Sequence, residues 1–406
     1  MSSIVIQGDT SGSITVEAPS VAGTHTLTLP KATGNIATDA TVGLGTKNLI
    51  INGDMRIAQR GTSSTGITTS GYYTVDRFLL TGGNSAGTWT QTQSTDVPSG
   101  QGFANSLKMQ CTTANASLGS TAFFFIRQRI EAQNLQHLKK GTVNSESVTL
   151  SFWVKSNKTG TYIAEIFDDD NVRQISKSYT IGSADTWEKK TITFVGDTSG
   201  VLPNDNGSGF SVGMWLVAGS DYTSNGTLNT SWASTNVSQR AVGQVNLADS
   251  TSNYINITGV QLEVGENATP FENRMYSQEL AMCQRYYYRI GSPESFAVYA
   301  GINYHTSQSI AVGIVFDADD AYFHLTMPEV MRGGPSVSNN GYLVIASGNG
   351  GVSTLTQNIC TLQATYNTGR RIIQILVDCD NTLTGGQPTM LYFFNSAGYL
   401  EFDAEL

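Results

Sequence analysis

VTLSFWVKSNKTGTYIAEIF, residues 148–167, decides the fold class. Its opening alternates, so Val148, Leu150, Phe152 and Val154 share one face of a strand, while Thr149, Ser151, Trp153 and Lys155 take the other. SNKTG turns the chain, and TYIAEIF returns as a second strand. Further along, KTITFV, GFSVGMWLVAG and NYINITGVQLEV continue the series of short strands separated by turn residues, the pattern of a β-sandwich.

Phase within these strands predicts what leaves the core. In GFSVGMWLV the inward set is Phe210, Val212, Met214 and Leu216, which places Trp215 outward, as Trp153 is. Two outward tryptophans among small and polar neighbours are a candidate sugar-stacking platform, and packing under a loop or another subunit is the competing reading. In the last strand Ile255 and Ile257 require one parity and Val260, Leu262 and Val264 the other, so a β-bulge is expected at Gly259. Gln261 and Glu263 would then face outward, with Gln261 a candidate ligand donor. The loop 219–244 adds Asp221, Tyr222, Asn225, Asn229 and Trp232, of which Tyr222 and Trp232 are further glycan-binding candidates.

Composition agrees with a β protein. The 406 residues are long enough for two or three compact units. Only 14% are charged, against roughly 25% in typical soluble domains, and glycine is abundant at 42. A formal charge of −9 argues against nucleic-acid binding, which draws on clustered Lys and Arg. No run of about 18 apolar residues predicts membrane insertion, and the Met1 end lacks an export signal, so synthesis in a cytoplasm is expected.

Cys111, Cys283, Cys360 and Cys379 have no zinc-ribbon spacing and are too sparse for a disulfide scaffold, so buried thiols are expected. No cofactor is expected. Asp168 and Asp170, with Asp169 and Asn171, and Asp205 between two asparagines are oxygen-rich turns and candidates for a structural calcium, though neither has EF-hand spacing. Four scattered histidines, no GxSxG elbow and no phosphate loop leave Asp317, Asp319 and Asp320 as the one carboxylate group suggestive of glycoside hydrolysis. No repeat of 20 to 50 residues is visible, which counts against a β-helix.

Four pieces are expected: 1–47, 48–274, 275–290 and 291–406. In the first, Ser13 to Glu17 and Thr24 to Leu29 alternate as half-buried strands, and Ile14, Val16, Leu27 and Leu29 are its candidate attachment and oligomerisation residues. So small a piece buries little core alone. In the third, Ser277 would cap a short helix with Glu279 in its first turn, and Leu280, Cys283 and Tyr287 would share a face.

TGVQLEVGENATPFENRMYSQELAMCQRYYY, residues 258–288, resembles a connector found in bacteriophage tail-fibre and virion-spike proteins. GSITVEAPSVAGTHTLTLPKATGNIATD (12–39) is similar to their head-proximal segment, and NLIINGDMRIAQRG (48–61) and YYTVDRFLL (72–80), both strand-like, are similar to the opening of the next domain. TMPEVMRGGPSV (326–337) and GYLEFDAEL (398–406) are similar to the closing domain, with an extra glycine before Pro335. The order of strands resembles jelly-roll modules of the galactose-binding and carbohydrate-binding type. The resemblance implies a mainly β virion protein: an N-terminal β attachment segment, a central jelly-roll sandwich, a short connecting helix and a C-terminal β domain. It implies a homotrimer joined to other virion tail proteins through its first segment, and non-catalytic adhesion to a host surface glycan. The tip loops near Tyr342 and Asn381 compete with the tryptophans for first contact. A structural adaptor or head fibre without glycan binding, and a polysaccharide depolymerase, are the alternatives.

Overall fold

A computed structural model of the chain describes residues 3–7, 13–17, 47–291, 310–340, 343–347, 358–367, 370–379, 383–393 and 398–406. The chain forms two contact units, Met1–Gly45 and Thr46–Leu406. In the first, β1 (Ser3–Gln7) and β2 (Ser13–Glu17) pair antiparallel, with Ile4 opposite Val16 and Ile6 opposite Ile14. The strand expected around Leu27 and Leu29 lies outside the described residues.

The second unit opens with a sandwich. Its strands are β3 (Ser63–Ile67), β4 (Gly71–Tyr72), β5 (Leu79–Gly83), β6 (Thr88–Ser94), β7 (Ser106–Thr113), β8 (Phe123–Glu131), β9 (Val148–Ser156), β10 (Gly160–Asp168), β11 (Arg173–Ile181), β12 (Glu188–Phe194), β13 (Ser208–Ala218), β14 (Ala233–Ser234) and β15 (Tyr254–Val264). One sheet runs β14-β11-β10-β13-β8-β5-β4 and the other β12-β9-β15-β7-β6-β3. The predicted core phases hold: Val148, Leu150, Phe152 and Val154 of β9 and Phe210, Val212, Met214 and Leu216 of β13 are buried in one intersheet core. Each such side chain taken from water contributes about 1.5–3 kcal/mol before entropy is counted.

The bulge expected in β15 is present. Between Thr258 and Gln261 the register to β9 slips by one residue, and Gly259 has φ +62°. A Cβ there would lie 2.6 Å from the Phe103 ring, so both backbone and space require glycine. The slip brings Ile255, Ile257, Val260 and Leu262 into the core together. Val264, expected inward with them, is instead exposed at the strand's end.

Three expectations are corrected. Residues 48–61 form no strand. Asn52, at φ +60°, accepts from Ile57 N (2.9 Å) and donates Nδ2 to the carbonyls of Ile57 (2.9 Å) and Asp76 (3.0 Å), replacing a ladder with side-chain bonds. Ile50, Met55 and Ile57 are nonetheless buried. The connecting helix is Tyr276–Gln284, entered at Met275, whose N–H donates to Gln278 Oε1 (3.2 Å), so Ser277 is not its cap. Cys283 is buried on it and Leu280 packs alongside, whereas Tyr287 begins a strand. A run of three tyrosines suits a strand as readily as a helix face, and pairing with the chain's last strand decides.

That strand, β16 (Tyr287–Gly291), is followed by β17 (Ala311–Val315), β18 (Asp320–Thr326), β19 (Ser336–Asn339), β20 (Leu343–Ser347), β21 (Asn358–Asn367), β22 (Ile372–Cys379), β23 (Pro388–Phe393) and β24 (Tyr399–Asp403). β16, β24 and β19 form a small sheet, and β17-β18-β22-β21-β20-β23 close into a barrel around Phe323, Leu325, Ile375 and Leu391. Cys111 and Cys283 are buried free thiols, as expected. Cys360 and Cys379 are register partners on β21 and β22. Tyr342 and Asn381 lie outside the described residues. Among the described residues no helix is long and apolar enough to cross a membrane.

Candidate functional site

The outer face of the six-stranded sheet is mostly roofed by loops. Residues 95–105 cross it: Thr258 Oγ1 donates to Asn105 O (2.7 Å), Phe103 lies on Gly259, and Thr258 and Asn256 are buried beneath. Residues 266–272 cover the next stretch. There Gln261 is fully buried, accepting from Glu272 N (2.8 Å) and donating to Glu263 Oε1 (2.8 Å), so it is a structural bridge and not the outward donor expected.

The β12–β9 edge stays open. Trp153 and Lys189 are register partners and therefore share the outer face, with Cβ atoms about 5 Å apart. Trp153 is half-buried, no described residue accepts its indole N–H, and that N–H is not buried. Lys189 is exposed and has no carboxylate partner among the described residues. Trp187, just ahead of β12 and two residues before Lys189, is half-buried. Asp96 from the crossing loop accepts from Trp187 Nε1 (3.1 Å) and from Lys155 Nζ (2.6 Å). Burial would raise the Asp96 carboxyl, but those two donors outweigh it and hold it below the ordinary aspartate range. Beyond the loop, Tyr254 donates to Asp185 Oδ1 (2.5 Å) and lies 4.9 Å beneath the Lys108 ammonium. Burial, and then the Asp185 carboxylate, push the Tyr254 phenol well up.

This edge presents two indole rings, one of them immobilised, among ammonium, carboxylate and hydroxyl groups. It can stack flat apolar faces and exchange hydrogen bonds with their polar rims. Trp187, Lys189 and Asp96 were not singled out as site residues; the strand parity of Lys189 was the available signal, and nothing local marked Asp96.

The other sequence candidates are placed elsewhere. Trp215 does leave the intersheet core, on the outer face of the other sheet, but it is 0% exposed. Phe125 stacks on it at 4.7 Å, Tyr222 packs at 5.3 Å and the Arg240 guanidinium sits 5.2 Å over the ring, held by two bonds to Glu165 (2.8 and 2.7 Å). Loop 219–244 is thus its lid, and Tyr222 is part of that lid. Trp232 stacks on Phe210 at 5.7 Å and donates to Val195 O (2.7 Å), closing the rim of the core. Trp215, Tyr222 and Trp232 are packing residues and form no platform.

Asp168, Asp170 and Asp205 are brought into one neighbourhood. Burial, and then Asp168, Asp205 and Asp169, raise the Asp170 carboxyl. The cation beside them is already supplied: Lys140 Nζ pairs with Asp168 (2.5 Å) and Asp197 (3.1 Å) and donates to the carbonyls of Ser199 (2.9 Å) and Gly200 (2.7 Å). Asp205 Oδ1 accepts from Gly207 N (2.9 Å) within its own turn. Asp168 and Asp197 thus already face a buried ammonium, and no group of three or more His, Cys, Asp or Glu side chains placed to hold a metal occurs among the described residues. Asp317, Asp319 and Asp320 share the turn between β17 and β18, where Asp317 Oδ1 accepts from the N–H groups of Asp319 (3.2 Å) and Asp320 (2.9 Å). A hydrogen bond that the protonated Asp319 donates to the Asp317 carboxylate raises the exposed Asp319, while the backbone donors lower Asp317.

No protein-family profile and no curated protein matches this chain. Solved structures with a partial likeness include the enzymatically active domain of tailspike protein 4 from bacteriophage CBA120, at 15% identity and TM-score 0.27 over 54% of this chain and 21% of that one. The match thus spans about a fifth of the tailspike chain. TmCBM61 in complex with β-1,4-galactotriose aligns at 9% identity and TM-score 0.28, over 54% of this chain and 100% of that one. A "putative sugar binding protein" from Bacteroides thetaiotaomicron aligns at 13% identity and TM-score 0.29, over 54% of this chain and 100% of that one.

Proposed function

We propose that this chain is a virion tail-fibre or receptor-binding protein that adheres to a host cell-surface glycan without catalysis. The observation that carries the reading is Trp153: a half-buried indole with a solvent-facing N–H, on a rigid strand, beside Trp187 and Lys189. The connector at residues 258–288 and the opening and closing segments that resemble phage fibres support the virion setting. In this reading residues 1–47 attach to other tail proteins, and the working form is a homotrimer. A single site near millimolar affinity yields about −4 kcal/mol, and linking sites raises avidity by about 10²- to 10⁴-fold.

The test is glycan-array binding by the purified full chain, compared with Trp153→Ala and Trp187→Ala variants whose near-UV dichroism is unchanged. Trp153→Ala is expected to weaken binding about tenfold or more, as loss of an aromatic anchor does. Undiminished binding in both variants would end the aromatic reading. No binding by any oligomeric form would favour a structural adaptor or head fibre instead.

A further inference from the structure

The charges immediately beside Trp153 differ from those of the molecule. The chain carries −9, yet Trp153 has Lys189 directly across from it and Lys155 two residues along its own strand, with Asp96 between Lys155 and Trp187, while Glu263 and Glu266 lie further along the face beside Thr149 and Thr193. Asp96 is committed to Lys155 and Trp187, and Asp185 to the Tyr254 hydroxyl. Lys189 is left with no carboxylate partner among the described residues, while Lys108 lies over the Tyr254 ring and helps to hold Asp96 low. Lys189 stands directly across from Trp153, so a ring stacked on the indole puts its substituents within reach of the ammonium. Lys108, on β7, lies roughly 14 Å away by strand spacing, beside Tyr254. A neutral sugar would need hydroxyl and amide partners here, and an unpaired ammonium on a net acidic protein is not required for it. An anionic one gains from it, because an unpaired ammonium beside the stacking ring attracts a negative substituent that the net acidic chain otherwise disfavours.

Resting on the reading of this edge as a glycan site, we propose that its ligand is an acidic glycan, with a sugar face on Trp153 and a negative substituent at Lys189. Carboxylate-bearing and sulfate-bearing sugars share that chemistry.

The experiment measures binding of the full chain to an oligouronate, to the same oligosaccharide after reduction of its carboxylates to alcohols, and to a sulfated oligosaccharide of equal length. Each is measured at low salt and at about 1 M, where the screening length falls to about 3 Å. The oligouronate is expected to bind about three- to tenfold more tightly than its reduced form at low salt, and the difference should vanish at high salt. Lys189→Gln should abolish the difference between the oligouronate and its reduced form, each measured on the same variant, with Lys189→Arg restoring it. Preference for the sulfated over the carboxylated ligand identifies the substituent and sustains the proposal. Equal binding of charged and reduced forms, or an unaltered preference in Lys189→Gln, overturns it while the glycan reading stands. Binding of none of the three by the wild type sinks both.

Discussion

Lys140 supplies the cation of its own oxygen cage. Its ammonium is enclosed by Asp168, Asp197 and two main-chain carbonyls, with both lysine and carboxylates buried, and Arg173 holds the second face of Asp197 at 2.7 and 2.9 Å. A tethered ammonium there neutralises what oxygen-rich turns would otherwise offer to calcium. Lys140→Met should cost about 3–5 kcal/mol, because removing one partner leaves buried carboxylates uncompensated. Urea unfolding measures this, and a loss under 1 kcal/mol would contradict the arrangement. Millimolar calcium should leave the wild-type melting temperature unchanged. The acidic turns were legible in the sequence, but Lys140, 28 residues before Asp168, carried no local sign that it would enter them.

Among the elements, the irregular segment 48–61 does more than its lack of pairing suggests. Gln59 N and Nε2 donate to the Asp76 carboxylate (2.9 and 2.5 Å), and the same Nε2 reaches Tyr287 O (2.8 Å), so one buried carboxylate ties the opening segment to the start of β16. Burial pushes the Asp76 carboxyl up to about 6, against the pull of Arg60 and Gln59. The sign follows directly. Between the unfolded value of 3.8 and about 6 the folded chain keeps a proton that the unfolded chain has released, so stability falls as pH rises through this window. Ionisation of this group costs the fold about 3 kcal/mol by neutral pH. Asp76→Asn should flatten the stability profile between about pH 4 and 6, and a profile as steep as wild type would refute the assignment. The bulge at Gly259 was readable because two parities in one strand cannot both face inward without an extra residue. The shape of residues 48–61 was not, since apolar spacing marks burial and says nothing about whether a ladder or an asparagine side chain satisfies the backbone.

At the scale of the molecule, the sandwich and the C-terminal strands are joined by arginines. Arg332 donates to the carbonyls of Ala404 (2.7 Å), Asn206 (3.1 Å) and Glu405 (3.0 Å), while Arg77, buried against the Tyr286 ring, pairs with the Glu405 carboxylate. Arg60 adds Asp403 at 3.0 Å and stacks on Tyr287. Arg332→Ala should cost about 2 kcal/mol and broaden or split the calorimetric transition as the two parts uncouple. A single, unshifted transition would show that the arginine carries no coupling. The Met331, Arg332 and Pro335 motif was visible in the sequence, and its role as a joint emerged only when Asn206 and residues 404–405 were placed around it.

Alternation along the chain determined, unaided, that this protein is mainly β, which residues fill the sandwich core, and that Trp153 and Trp215 point away from it. Whether an outward ring meets solvent was decided by the tertiary structure alone. Both tryptophans have the same parity and similar neighbours, yet Arg240 and Tyr222 close over one while the other keeps an open N–H. The physical reason is that facing out is a local consequence of backbone geometry, whereas being covered depends on where loops 95–105, 219–244 and 266–272 come to rest, and those positions are set by contacts far away in the chain.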